Sequence, residues 1–186
     1  MTKSETKSGT KSGKVDAATY ETKIDAKGNV IVRVRRDYPA GKPTPTAQRV
    51  WQIVADFGGT KTMYPSCLSI YLTYPDNTDA AINTVRHMTF APPDPKNPLS
   101  AKNPLPFGIE QLIELDAQAR RLTYISALGM PVKDYRSVME VTGDNACRLT
   151  WTSSFTVDKK NEGFVETLAQ ILAAGANQIA QVLNQA

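Results

Sequence analysis

At 186 residues with 41% apolar side chains, the chain has material for one domain with a real core and some extra chain. Three of its four net positive charges come from residues 1–14, where Lys3, Lys7, Lys11 and Lys14 face only Glu5, so the rest is near neutral. Such a body lacks the concentrated basic face that nucleic-acid binding requires. Its only cysteines, Cys67 and Cys147, and the absence of an apolar leader among the first residues set the expectation of a reducing, cytoplasmic protein without a disulfide. The most apolar long window, 164–183, is interrupted by Glu166, Gln170 and Asn177, so no membrane span is expected.

Residues 2–13 repeat a Thr-Lys-Ser unit with no apolar side chain to bury, and residues 1–20 read as a disordered tail ahead of a single domain over 21–186. Val30 to Val34 alternate with arginines as a first strand would, placing Arg33, Arg35 and Arg36 on a basic outer face. Pro39, Pro43 and Pro45 break the backbone. Thr46 then caps a short helix carrying Val50, Trp51, Ile53 and Val54, which ends at Asp56-Phe57-Gly58-Gly59. Leu68 to Thr73 is a second strand, Pro75-Asp76-Asn77 a turn, and Ile82 to Phe90 a third strand with Ile82, Thr84, Arg86, Met88 and Phe90 on one face.

Residues 91–106 hold six of the twelve prolines and are long for a connection between strands, which suits either an insertion or a lid over a cavity, the insertion being preferred. Gly108–Leu115, Arg121–Ser126, Tyr135–Val141 and Arg148–Phe155 complete a set of about seven strands. A long amphipathic helix from Phe164 to Leu183 closes the chain, with a thin middle at Ala173, Ala174, Gly175 and Ala176 that fits a ligand or close packing equally well. A curved sheet on one helix encloses a hollow, and hollow domains bind small molecules.

The run Val50-Trp51-Gln52-Ile53-Val54-Ala55-Asp56-Phe57, followed by Tyr64-Pro65, resembles the opening helix pair of the START-like, helix-grip (SRPBCC) superfamily, which includes polyketide cyclase/dehydratases and birch-pollen-allergen proteins. The resemblance continues through Thr84-Val85-Arg86, Glu110-Gln111-Leu112 with Asp116, Arg121-Leu122-Thr123-Tyr124, Val132 to Ser137 and Leu149-Thr150-Trp151, covering roughly residues 30–185. It implies an α+β helix-grip fold: a curved antiparallel sheet around the long C-terminal helix, with two short helices after the first strand. Two features depart from the pattern: the proline-rich segment replaces a short turn, and Tyr64 stands where many relatives have tryptophan.

Arg86 shares strand parity with apolar neighbours and is expected to face inward, where an unpaired guanidinium is costly. It would polarise a ligand carbonyl or form a structural ion pair with Glu110 or Asp56. Glu110 is the candidate general base if burial raises its pKa; parity with Ile109, Ile113 and Leu115 argues that it faces out, whereas the resemblance implies that it faces in. Tyr124 is the third catalytic candidate, and Phe57, Tyr64, Met88, Tyr135, Met139 and Trp151 are candidates for the substrate-binding wall. Asp56 reads as a turn carboxylate, and His87, the only histidine, as outward-facing. No closely spaced zinc ligands, Ser-His-Asp triad or glycine-rich phosphate loop stands in the sequence, so neither metal nor cofactor is expected. Two functions fit: a cofactor-independent cyclase/dehydratase or related lyase for a small, largely apolar or aromatic carbonyl compound, or a passive carrier of a hydrophobic metabolite or lipid whose acidic head Arg86 would anchor. Oligomeric state leaves no trace in the sequence.

Overall fold

A computed structural model describes residues 7–8, 17–39, 45–74, 82–91 and 107–185. The expected tail, apart from Lys7, Ser8 and its last few residues, the turn Pro75-Asp76-Asn77, and the proline-rich segment beyond Ala91 lie outside those residues.

The strands are β1 (Lys7–Ser8), β2 (Thr19–Ile24), β3 (Asn29–Tyr38), β4 (Cys67–Thr73), β5 (Val85–Phe90), β6 (Phe107–Asp116), β7 (Arg121–Leu128), β8 (Lys133–Gly143) and β9 (Cys147–Thr156). They form one antiparallel sheet in the order β1-β2-β3-β9-β8-β7-β6-β5-β4, eight strands plus the two-residue β1. Two short helices, α1 (Ala47–Ala55) and α2 (Thr60–Met63), follow β3, and α3 (Gly163–Gln185) closes the chain. This is the helix-grip architecture, with more strands than the seven expected. Thr19 and Tyr20, assigned to the tail by composition, belong to β2, whose partner β3 and helix α3 supply the burial that its own sequence does not advertise. Two bonds tie this segment to α3: Ala18 N donates to Asn177 Oδ1 at 2.8 Å, and the Tyr20 hydroxyl to Glu166 Oε1 at 2.6 Å.

Local chemistry sets the element ends. Thr46 caps α1, its hydroxyl accepting from Arg49 N at 3.4 Å, and Asp56 holds the following turn by accepting from Gly59 N at 2.9 Å. Arg33 and Arg35 lie on the outer face, each paired with Glu21. Arg36 does not join them: it falls on the inner parity of Val32, Val34 and Tyr38, and its Nη1 donates to Asn177 Oδ1 at 2.8 Å. Ile82 likewise departs from expectation, lying exposed in the turn before β5 rather than on its inner face.

The packed core sits where α1 and α3 cover β3, β9 and β8. Val50, Trp51 and Val54 of α1 and Leu172, Ala176, Ile179 and Leu183 of α3 meet Val32, Val34, Leu149 and Val141. Cys67 and Cys147 are both buried free thiols. No helix among the described residues is long and apolar enough to cross a membrane.

Candidate functional site

Beyond β8 the sheet curls away from α3 and leaves a cavity of about 490 Å³. Its wall is formed by β5 (Arg86, Met88, Phe90), β6 (Phe107, Gly108, Glu110), Tyr124 of β7 and Tyr135 of β8, closed by Met63 to Ser66 and by α3. Phe107, 42% exposed, and the exposed Gln181 mark where it meets solvent.

Glu110 faces inward because β6 contains irregularities. Pairing with β7 slips between Leu112 and Glu114, leaving Ile113 as an extra residue, so that Gly108, Glu110 and Leu112 face in before the slip and Leu115 faces in after it. The parity that groups Glu110 opposite Ile109, Ile113 and Leu115 therefore fails. Glu110 stands directly across from Arg86 on β5, and the two are 5% and 3% exposed.

The guanidinium is heavily committed. Arg86 Nε and Nη2 both reach Glu110 Oε2, at 2.7 and 2.5 Å, while Nη1 donates to the Phe57 carbonyl at 3.0 Å and to Thr60 Oγ1 at 2.6 Å. The ring of Phe57 lies 4.1 Å and that of Tyr124 5.0 Å from the guanidinium carbon. Burial alone would pull this group down, but Glu110 and the neighbouring tyrosines hold it above its ordinary pKa, and it stays charged. The ion-pair reading of Arg86 fits this geometry better than a free cation awaiting a ligand. Since both nitrogens use Oε2, Glu110 Oε1 makes no hydrogen bond among the described residues and is not sealed from the cavity.

Three phenols share the cavity with Glu110 and feel its charge. Burial, and then the nearby Tyr135 and Glu110, push the Tyr64 and Tyr124 hydroxyls well above 10, so both remain protonated donors at any physiological pH. Both line the cavity, and the Tyr124 hydroxyl lies within hydrogen-bonding reach of that of Tyr135. Tyr135, raised chiefly by burial, bonds Ser153 Oγ at 3.0 Å.

Six of the nine expected site residues are thus brought to one cavity: Arg86, Glu110, Tyr124, Tyr64, Met88 and Tyr135. Phe57, Met139 and Trp151 do not line it. Phe57 lies beneath Arg86, Met139 is core opposite Leu122 and Trp151, and Trp151 backs Tyr64, ring centroids 6.1 Å apart. Inward parity places a side chain on the concave face without saying whether the hollow or another side chain meets it. Sequence reasoning missed the α3 wall, where Thr167, Gln170, Asn177, Gln178 and Gln181 face the cavity; their recurrence at helical spacing on one side of an otherwise apolar helix was the available signal. The thin middle of α3 serves both purposes: Ala174 lines the cavity, whereas a Cβ on Gly175 would meet the Tyr64 ring at 3.0 Å. His87 stacks on Tyr71 away from the cavity, centroids 5.8 Å apart. Among the described residues, Arg86 and Glu110 are the only charged groups lining the cavity, and no three His, Cys, Asp or Glu side chains are grouped to hold a metal ion.

Comparison with known proteins agrees with this architecture. Norcoclaurine synthase from Thalictrum flavum superposes with a TM-score of 0.63 at 19% identity, covering 85% of this chain and 88% of that one. The same enzyme in complex with dopamine and hydroxybenzaldehyde gives 0.62 at 19% identity, over 84% and 87%. The protein XoxI from Bacillus cereus gives 0.60 at 21% identity, over 82% and 94%. At such identities the likeness is one of fold. No curated protein matches the chain in sequence. The sequence profile of the family described as polyketide cyclase / dehydrase and lipid transport, however, matches residues 42–184, most of the sheet, both short helices and nearly all of α3. With the cavity between that sheet and that helix, the chain belongs to this family and has its hydrophobic-ligand-binding fold.

Proposed function

We propose that the protein binds a small, largely apolar carbonyl compound in the cavity and catalyses a cofactor-independent cyclisation with dehydration, or a related lyase step. The observation that carries this reading is the uncommitted Oε1 of Glu110, buried in a mostly apolar hollow that it shares with protonated phenol hydroxyls. A carboxylate with a free oxygen can accept a proton, and fixed neutral donors in a site poor in water can stabilise an oxyanion.

In such a step Glu110 takes a proton from the carbon next to the ligand carbonyl, and the electron pair moves onto oxygen, where Tyr124 and Tyr64 donate hydrogen bonds. The enolate carbon attacks a second carbonyl, forming the ring bond, and Glu110 returns its proton to the new alkoxide. Removal of the remaining α-proton by Glu110 and its delivery to the departing hydroxyl release water. Arg86 acts by holding Glu110 in place and balancing its charge rather than by touching the carbonyl.

The competing reading is a carrier in which Arg86 anchors an acidic head group. The four bonds that Arg86 spends on Glu110, Phe57 and Thr60 argue against it. Native mass spectrometry of the purified protein would identify a retained ligand. With that compound as substrate, Glu110→Gln should lower kcat by about 10²–10⁴ while binding stays within a few-fold. Equal loss of binding and turnover, or no turnover by the unaltered protein, would return the molecule to the carriers.

A further inference from the structure

Behind the cavity wall a row of polar groups crosses the β8–β9 ladder with no part in the chemistry above. Trp151 Nε1 donates to Ser137 Oγ at 2.7 Å, Ser137 Oγ lies 3.0 Å from Ser153 Oγ, and Ser153 Oγ lies 3.0 Å from the Tyr135 hydroxyl. Ser137 and Ser153 are directly paired across the two strands, and both are 0% exposed.

One direction of this row gives every sealed hydrogen an acceptor at the distances above. An indole N–H can donate but not accept, so Ser137 Oγ is the acceptor of the first bond. A serine hydrogen sealed from water needs an acceptor, and those open to Ser137 are Ser153 Oγ at 3.0 Å and, behind it, the Tyr135 hydroxyl. Ser153, receiving that hydrogen, sends its own to the Tyr135 oxygen. The Tyr135 hydrogen is then the one that the row does not use; Tyr135 is the member that lines the cavity, and its remaining neighbour there is the Tyr124 hydroxyl. Bonds aligned head to tail polarise one another, which makes the last donor stronger than an isolated phenol.

We infer that the buried chain Trp151–Ser137–Ser153 fixes the Tyr135 hydroxyl as a donor on its cavity side, where an acceptor oxygen of the ligand takes its hydrogen in place of the Tyr124 oxygen; Trp151, Ser137 and Ser153 are positioning residues. The inference rests on the proposed reading only in requiring that a ligand occupies the cavity, and holds whether or not the ligand is turned over.

The test uses two neutral probes with the same ring system, 2-acetylnaphthalene and 2-ethylnaphthalene, which differ by the carbonyl oxygen. Titration calorimetry of the unaltered full chain, Tyr135→Phe and Ser137→Ala gives the six affinities needed. Tyr135→Phe should weaken the ketone by about tenfold and Ser137→Ala by about fivefold, the loss of one well-placed hydrogen bond and of its orientation, with the hydrocarbon changing less than twofold in either variant. Ser137→Ala is decisive because it leaves the Tyr135–Ser153 contact in place. Unchanged ketone binding in that variant overturns the inference alone, as does parallel loss of both probes, which would mark a packing role. Failure of both probes to bind the unaltered protein overturns cavity binding, and this inference with it.

Discussion

The two halves of the sheet are built from the same alternating strands but end differently. In the half formed by β2, β3, β9 and the near side of β8, inward side chains are mostly branched or aromatic, Arg36 and the Ser137–Ser153 pair apart, and pack against α1 and α3. In the half formed by β7, β6, β5 and β4, the inner face carries Arg86, Glu110, Gly108 and Tyr124, and α3 stands off behind amides and small side chains. Packing in the first half stabilises the fold, and the second half uses that stability to keep a charged pair and buried phenols out of water, an arrangement unfavourable by itself. Division of labour within one sheet is what lets a single small domain hold a hollow with polar groups in its wall.

The largest effect that separates the halves should come from the ion pair. Arg86→Met leaves Glu110 buried without its partner and should lower unfolding free energy by about 3–5 kcal/mol. Arg86→Met with Glu110→Leu should cost less than Arg86→Met alone in urea unfolding, and additivity of the two changes would remove the coupled-pair description. Truncation comes next. Ile179→Ala, in the filled half, should cost about 2–5 kcal/mol and leave probe affinity unchanged, whereas Met88→Ala, whose side chain borders an existing hollow, should cost only about 1 kcal/mol and alter affinity. Equal costs at the two sites would contradict the division.

Gly175→Ala sets a gain in helix propensity of about 1 kcal/mol against a Cβ placed 3.0 Å from the Tyr64 ring. The expected outcome is a near-neutral melting temperature with altered probe selectivity, because the ring that must give way belongs to the cavity wall. The smallest effects are electrostatic. Hydrogen bonds and charge from Arg148 and from Arg121 hold Asp37 and Glu114 below the usual carboxylate range; for Glu21, desolvation opposes the shift but Arg35 and Arg33 outweigh it. Their folded pKa values are depressed, so the stability they add is present above about pH 4 and is lost as pH falls further. The raised phenols of Tyr64, Tyr124 and Tyr135 give the opposite limb, with stability complete below about pH 10 and lost as pH rises beyond it. Salt at 1 M should flatten the acid limb, which comes from surface pairs, and leave the alkaline limb, which comes from burial. Denaturant midpoints across pH at two salt concentrations would show it.

Much of this architecture was legible from local pattern. Alternation marked the first half of β3 and placed β4 to β9 to within three residues at either end, a threonine marked the start of α1, and helical spacing marked α3, because period and capping chemistry are properties of neighbours in the chain. Arg86 was readable as an inward charge for the same reason. Strand β2 was not, since a short half-buried strand becomes one only when β3 and α3 cover it. Glu110 was misplaced by parity because an extra residue at Ile113 resets the alternation, and a slip of this kind exists only in relation to the partner strand.

By itself, then, the sequence determined the family, the order of sheet and helices, and an arginine turned toward the concave face, all of which follow from periodicity and short motifs. Tertiary structure alone decided that this arginine is spent on Glu110, that Phe57, Met139 and Trp151 stand behind the wall rather than in it, and that α3 supplies an amide face. Whether an inward side chain meets a ligand, a partner or a packed neighbour depends on the distance between layers, and that distance is set by every contact in the other half of the sheet.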